Sequence, residues 1–362
     1  MNQTTSLRLA AFLTPINALL LKSATRLVGC YHNTDSRPFS VSPVNSTPER
    51  WSRKGAKPMK ALLRSGFLAL AIMALAVPAH AGLFEDGMAA AKRGDYATAL
   101  KFWRPLAEQG VVEAQHNLGE RYRKGEGVPQ DDAEAVKWYR KAAEQGFASA
   151  QNSLGIMYAN GQGVPQDYTE AAKWRRKAAE QGHVTSQLAL GLSYEIGEGV
   201  PQDYTEAAKW YRKAAGQGHS IAQISLGNLY ANGQGVPQDD AEAVKWFRKA
   251  TKEGDAQAQY NLGYMYDNGR GVRQSYRAAA KWYRKAAEQG DSSAQTNLGI
   301  MYAEGRGVRR DYVQAYMWFN LAAEAGVQGA RRNRQRVAAF MTPDQFDEAQ
   351  RLTREWLAKH QK

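Results

Sequence analysis

The sequence predicts an all-α solenoid of stacked helical hairpins. Two observations carry that expectation. Glycines suited to ending helices fall at Gly110, Gly146, Gly182, Gly218, Gly254, Gly290 and Gly326, and every interval is 36 residues. Within each interval the same order recurs: Ala-Gln, Leu-Gly, Tyr, Gly-x-Gly-Val, then Ala, Trp and Ala. Self-similarity at such a period marks a repeat architecture, because one hairpin cannot bury its own apolar face and must stack on the next. Six units over 111–326 keep the register, with Ser186 standing where Ala otherwise recurs.

The first unit shows how each element follows from its residues. A first helix is expected from about Val111 to Arg123, since Ala114, Leu118 and Tyr122 recur at spacing four and share one face. Gly119 carries no side chain there, so a second helix can approach closely. The loop Gly125-Glu126-Gly127-Val128 breaks the helix, and Pro129, Pro165, Pro201 and Pro237 fix the approach to the next one. Asp131, Asp167, Asp203 and Asp239 are N-cap residues by pattern. Each is followed three positions later by Glu134, Glu170, Glu206 or Glu242, the spacing of a capping box. Ala135, Trp138 and Ala142 form the inward stripe of the second helix, and Arg140 and Lys141 complement the dipole at its C-terminus. Trp138, Trp174, Trp210, Trp246, Trp282 and Trp318 are assigned to the core, each indole N–H bonding to a loop carbonyl.

Both ends need covers. Residues 82–110 are read as an N-terminal capping half-repeat carrying Gly94-Asp95-Tyr96, Ala99 and Trp103. Residues 327–362 are read as C-terminal capping helices. One starts near Gln328; another starts at Thr342-Pro343-Asp344-Gln345 and lays Leu352 and Trp356 on the last repeat.

The unit Ala-Gln-x-x-Leu-Gly-x-x-Tyr-x-x-Gly-x-Gly-Val-x-x-Asp, followed by Ala-x-x-Trp-x-x-x-Ala-Ala, resembles the Sel-1-like repeat. That family is a relative of the tetratricopeptide repeat with a longer loop. The resemblance implies a right-handed α/α superhelical solenoid that serves as a non-catalytic adaptor in assembled complexes. Exported bacterial members resemble regulators or scaffolds of envelope and exopolysaccharide systems. Some disulfide-rich relatives bind penicillin-like compounds, but the only cysteine here is Cys30, so that activity is not carried over.

Upstream of the repeats, Met59 to Ala81 has the parts of a secretory signal peptide. Lys60 and Arg64 precede an apolar stretch from Gly66 to Val77, and Ala79-His80-Ala81 supplies a small-x-small cleavage pattern. The stretch is too short to span a bilayer. Residues 1–58 are basic and poor in acids. They read as an extension outside the native product, Met59 being the initiator; the rival reading is an organellar leader. Cleavage near Ala81 makes the mature protein periplasmic or secreted. Formal charge is +13, yet residues 1–81 hold ten Lys/Arg against two Asp/Glu. The basic total therefore says little about partners of the mature chain, and no nucleic acid is expected.

Function is expected on surfaces rather than at a catalytic centre. By analogy with tetratricopeptide solenoids, the first helices line a concave face. Two rows there, His116, Asn152, Leu188, Ile224, Tyr260, Thr296 and Glu120, Ile156, Leu192, Asn228, Tyr264, Ile300, have apolar middles. Either they form an exposed groove for a protein partner, or curvature buries them against neighbouring repeats. Residues 255–362 hold 17 basic and 11 acidic residues. Arg306, Arg309, Arg310, Arg331, Arg332, Arg334 and Arg336 form a candidate basic patch for an acidic protein, an anionic polysaccharide or a membrane surface, or simply a solvated face. His183 and His219 are one period apart and lack the convergent ligands of a metal site. Asp-x-x-Glu and Gly-x-Gly-Val recur as helix starts and turns, whereas an active site is needed once. No cofactor and no enzyme activity are expected. The alternatives are an exported β-lactamase-like hydrolase and a polysaccharide-binding envelope protein.

Overall fold

The computed structural model describes residues 82–360. The extension expected over 1–58, the signal peptide over 59–81 and its cleavage near Ala81 lie outside the described residues. Every regular element among the described residues is helical. In chain order these are α1 (82–92), then α2 (Tyr96–Glu108), α3 (Val112–Lys124), α4 (Asp132–Glu144), α5 (Ala148–Asn160), α6 (Tyr168–Glu180), α7 (Val184–Ile196) and α8 (Tyr204–Gly216). The chain continues with α9 (Ser220–Asn232), α10 (Asp240–Ala250), α11 (Ala256–Asn268), α12 (Tyr276–Glu288), α13 (Ser292–Glu304), α14 (Tyr312–Glu324), α15 (Gln328–Ala338) and α16 (Pro343–His360). Odd-numbered helices from α3 to α13 are the first helices of the repeats, and even-numbered ones from α4 to α14 are the second. Each packs on the helix before it and the helix after it, while α15 and α16 both pack on α14. The result is a right-handed α/α superhelical solenoid. No described helix is long and apolar enough to cross a membrane.

Helix ends are set by the expected residues, with one difference in chemistry. Asp131, Asp167, Asp203 and Asp239 each cap a second helix by accepting from the backbone N–H three positions on, at 2.8–3.1 Å. Their glutamates do not complete a capping box. The N–H that a box glutamate would satisfy is already used: Asp131, Asp167, Asp203 and Asp239 donate to the carbonyls of Tyr122, Tyr158, Tyr194 and Tyr230, all at 2.9 Å. That bond closes the loop between the paired helices. Glu134, Glu170, Glu206 and Glu242 are thereby released and pair with Lys137, Lys173, Lys209 and Lys245 one turn further on. A reciprocal box does form at α16, where Thr342 and Gln345 each cap the other's backbone N–H. At the other end of each second helix the expected glycine takes a left-handed conformation, as at Gly146 (φ 92°). Phe147 then donates to the Ala142 carbonyl.

Two close approaches lock the helices together. In the first helices, a Cβ on Gly119, Gly191, Gly227, Gly263 or Gly299 would lie 2.6–2.7 Å from the ring of Tyr139, Tyr211, Phe247, Tyr283 or Phe319 on the paired second helix. In the loops, a Cβ on Gly163 would lie 2.2 Å from the Asp132 carbonyl oxygen of the preceding unit. The tryptophans are core, as expected; Trp138, Trp174, Trp210 and Trp318 are all buried. Their N–H groups are a correction: Nε1 of Trp138, Trp210, Trp246 and Trp318 finds no acceptor among the described residues. The tryptophan is anchored on its other side, with Lys141, Lys177, Lys213 and Lys249 placed 3.9–4.1 Å over the ring centroids one turn along.

Because the Asp accepts the cap bond and the Glu makes only an exposed ion pair, the two should differ in weight. Asp203→Ala is expected to destabilise the fold by about 1 kcal/mol, and Glu206→Ala by less than about 0.5 kcal/mol. Urea denaturation of the two variants checks this; equal losses would restore the reciprocal box.

Candidate functional site

The two rows on the first helices differ at their centres, where Leu188 and Ile224 are buried and Leu192 and Asn228 only half-buried. Leu188 and Ile224 are each only 7% exposed and belong to the core between repeats. Asn152 accepts from the Ser186 hydroxyl at 2.8 Å, Tyr260 lies with its ring 5.8 Å from that of Tyr283, and the Thr296 hydroxyl donates back to Ser292. The middle of this row is a packing seam and not a groove: Asn152, Leu188 and Ile224 meet the neighbouring unit, while Tyr260 packs on the second helix of its own unit and Thr296 bonds within its own helix. Ser186 is explained by the same seam. It is fully buried where Ala recurs, and its hydroxyl finds Asn152 and His183 as partners.

The second row is the open one. Ile156, Leu192, Asn228 and Ile300 are half-buried and Tyr264 is 40% exposed. Asn228 accepts from the Asn261 amide at 3.2 Å, which joins two units across the row. The candidate protein-binding surface therefore narrows to Ile156, Leu192, Asn228, Tyr264 and Ile300. Its apolar members are displayed at one per repeat on a rigid helical frame, an arrangement that suits an extended or helical segment of another protein.

Beneath this row runs a line of side chains that pattern reading left unassigned: Tyr139, Arg175, Tyr211, Phe247, Tyr283 and Phe319. At two of its three tyrosines a carboxylate receives the hydroxyl, while that of Tyr283 finds no partner among the described residues. Tyr139 donates to Glu120 at 2.5 Å, and Tyr211 donates to Glu195 at 2.5 Å. The two glutamates respond oppositely. Burial works against ionising Glu120, but hydrogen bonds from Arg123 and Tyr139 outweigh it and hold the carboxyl at about 2. Glu195 has no arginine, so burial dominates and raises it, the Tyr211 bond only partly opposing. Arg175 is the odd member of the line. Burial pulls its guanidinium down while the Glu198 carboxylate partly restores it.

Three further ladders were present in the repeat and carry structure rather than chemistry. The buried Gln of each Ala-Gln pair, as in Gln115, Gln151 and Gln187, donates to a carbonyl of the preceding second helix at 3.0–3.1 Å. Each of these glutamines in turn accepts from Gln145, Gln181 or Gln217 at 2.8 Å. Arg140, Arg212, Arg248 and Arg284 donate to the hydroxyls of Tyr158, Tyr230, Tyr266 and Tyr302 in the next unit at 2.6–2.9 Å. Arg140 thus does more than complement a dipole. His183 accepts from the Ser186 N–H, and His183 and His219 occupy the N-cap positions of α7 and α9. Among the described residues no three His, Cys, Asp or Glu side chains converge as metal ligands would.

The basic patch divides. Arg306 is tied to Glu304 at 2.7 Å and lies over the Tyr276 ring, and Arg334 donates to Asn320. Arg331, Arg332 and Arg336 are exposed on α15. Arg309 and Arg310 are exposed and line a cleft of about 650 Å³ beside the start of α16.

Comparison with known proteins places this geometry. The family model of the Sel1 repeat matches residues 69–111, 112–147, 148–183, 184–219, 220–255, 256–291 and 292–327. The first match takes in the whole of the segment read as a half-unit and begins upstream of residue 82. A Sel1 repeat protein from Oxalobacter formigenes is 34% identical, with a TM-score of 0.59 over 66% of this chain and 96% of that one. The protective antigen c5321, present in uropathogenic Escherichia coli strains and displaying an SLR fold, is 32% identical, with a TM-score of 0.39 over 73% of this chain and 80% of that one. A putative Sel1 repeat protein from Klebsiella pneumoniae is 23% identical, with a TM-score of 0.37 over 56% and 99%. No curated protein matches.

The two glutamates give opposite pH signatures. A carboxyl lowered in the fold stabilises it above the ordinary carboxylate range and loses that contribution as pH falls; one raised in the fold does the reverse. Glu120→Gln is therefore expected to lower the melting temperature at neutral pH, with the deficit shrinking from about 4.5 downward toward about 2. Glu195→Gln is expected to raise it at neutral pH, with the gain vanishing as pH falls into the ordinary carboxylate range. Thermal melts of both variants across pH check the sign; parallel profiles would contradict it.

Proposed function

Because the chain belongs to the Sel1 repeat family, whose members are generally protein-interaction scaffolds, we propose that it is a non-catalytic adaptor of the bacterial envelope that holds a protein partner along Ile156, Leu192, Tyr264 and Ile300. The carrying observation is the exposure of Tyr264, 40%, within a row of half-buried apolar side chains on the first helices. An exposed aromatic with Ile300 on one side and Asn228 on the other is the kind of anchor from which binding energy is drawn. The polar groups on the first helices of other units support a scaffold reading rather than a chemical one. Glu120, Arg123 and Tyr139 satisfy one another, and Glu195 is bound to Tyr211, so their hydrogen bonds join second helices to first helices.

Export rests on the Met59–Ala81 pattern and on a chain with no cysteine after Cys30, which suits an oxidising compartment. In this reading the mature protein is periplasmic or secreted and assembles or regulates an envelope complex.

The test is crosslinking capture from the native host, using the full chain with a C-terminal tag and mass spectrometry of what is bound. A small set of envelope proteins is expected, reduced at least about tenfold by Tyr264→Ala with Ile300→Ala while the helical circular dichroism signal is kept. An unchanged set in that double variant would remove the row from the interface, and an empty capture from folded bait would remove the adaptor reading.

A further inference from the structure

The last loop departs from the repeat in a way that the fold does not explain. In four earlier loops the residues after Gly-x-Gly-Val are Pro and Gln: Pro129-Gln130, Pro165-Gln166, Pro201-Gln202 and Pro237-Gln238. That glutamine is structural. Gln166, Gln202 and Gln238 donate to the carbonyls of Ala159, Glu195 and Ala231 at 2.7–3.2 Å, and Gln274 does the same to Asp267. In the final loop the pair is Arg309-Arg310. The backbone course is kept, since a Cβ on Gly305 would lie 3.4 Å from Arg310 Cβ much as one on Gly161 would lie 3.2 Å from Gln166 Cβ. The recurring bond is not kept: neither arginine donates a hydrogen bond or forms an ion pair with any described residue. The proline and glutamine of the first four loops are here two exposed guanidinium groups, whereas the fifth loop, Arg273-Gln274, changes only the proline.

Those groups open onto the cleft beside α16. Its third arginine, Arg284, is fixed to the Tyr302 hydroxyl at 2.6 Å. Its one acid, Asp311, is occupied by capping Gln314. The cleft thus sets three arginines against one carboxylate and keeps an excess of positive charge. Beside it stands an apolar element. Tyr312 lines the cleft and stacks on Phe340 with centroids 5.7 Å apart, and Phe340 is 68% exposed, the most exposed large apolar side chain described. We propose that this cleft is a second docking site, for an acidic peptide segment of a protein partner that places carboxylates on Arg309 and Arg310 and an apolar side chain on Phe340. Guanidinium pairs with carboxylates by two parallel hydrogen bonds, and an exposed aromatic next to them selects a chain with apolar side chains over a uniformly polar anionic polymer. The inference rests on the adaptor reading but concerns a different surface from the Tyr264 row.

The test uses the full chain and three probes at moderate salt: a fluorescein-labelled peptide of repeated Glu-Glu-Leu, polygalacturonate, and phosphatidylglycerol vesicles. Arg309→Pro with Arg310→Gln restores the loop of the earlier repeats, so the variant is expected to melt no lower than the native chain. The peptide is expected to bind the native chain, to weaken with added salt, and to lose at least about tenfold in affinity in the restored-loop variant. Phe340→Ser should weaken the Glu-Glu-Leu peptide but not a Glu-Glu-Ser one. Preference for polygalacturonate or vesicles over the peptide would overturn the proposal, as would equal peptide binding by the restored-loop variant. Either failure leaves the capture result along the Tyr264 row standing, whereas an empty capture would fail the adaptor reading itself.

Discussion

The spacing between paired helices is set by one contact, the aromatic ring of a second helix lying against a glycine of the first. Rings of Tyr139, Tyr211, Phe247, Tyr283 and Phe319 occupy the space where a side chain at that glycine would stand. With the helices drawn together there, Ala114, Leu118 and their equivalents can be fully buried by residues as small as alanine on the facing stripe. The joint to the next unit follows from the same placement, because Tyr139 packs with Ala150 and Leu154 of the following first helix. Each ring therefore belongs to two interfaces at once. This is the nearest-neighbour coupling that makes a solenoid cooperative despite its linear build.

Arg175 shows what happens when the ring is absent. Its aliphatic stem takes the place over Gly155, while its head is drawn into a poorly solvated position near Glu198, whose carboxyl burial raises. A second irregularity lies between α10 and α11. Thr251-Lys252-Glu253 replaces the usual helix end, α10 stops at Ala250, and a 3₁₀ turn follows. Glu253 cannot donate where Gln145, Gln181 and Gln217 do, so the Gln223 side-chain oxygen loses the partner its equivalents have. The glutamine ladder is interrupted at that joint alone among the central units, with Gln259 and Gln289 resuming it beyond.

The fold was legible because a fixed period turns one sequence into its own alignment. Terminal glycines and the tryptophan stripe recur in every unit, and cap aspartates in all but the fifth, where Ser275 stands; each repetition removes an alternative. What the pattern did not disclose was which hydrogen bond each recurring polar residue makes. Glu134 and its equivalents have capping-box spacing, yet the carbonyl of Tyr122 in the last turn of the first helix has already claimed the N–H they would receive. The indole N–H groups likewise lack the loop carbonyls expected of them. The candidate surface was half legible. Both rows on the first helices share apolar composition, and only the packing angle between units decides that Leu188 and Ile224 are inside while Leu192 and Tyr264 reach the outside. The arginine-rich end was visible as a charge excess. Its division into tied residues such as Arg306 and unpaired ones such as Arg309 depends on contacts across repeats that composition cannot reveal.

In the adaptor reading, the open row of the first helices and not the seam beside it meets the partner. Methyl-labelled nuclear magnetic resonance of the chain with and without its captured partner tests this most directly. Methyl signals of Ile156, Leu192 and Ile300 are expected to shift or broaden on binding while those of Leu188 and Ile224 hold still. Perturbation centred on the second helices, with Ile156, Leu192 and Ile300 unmoved, would contradict it.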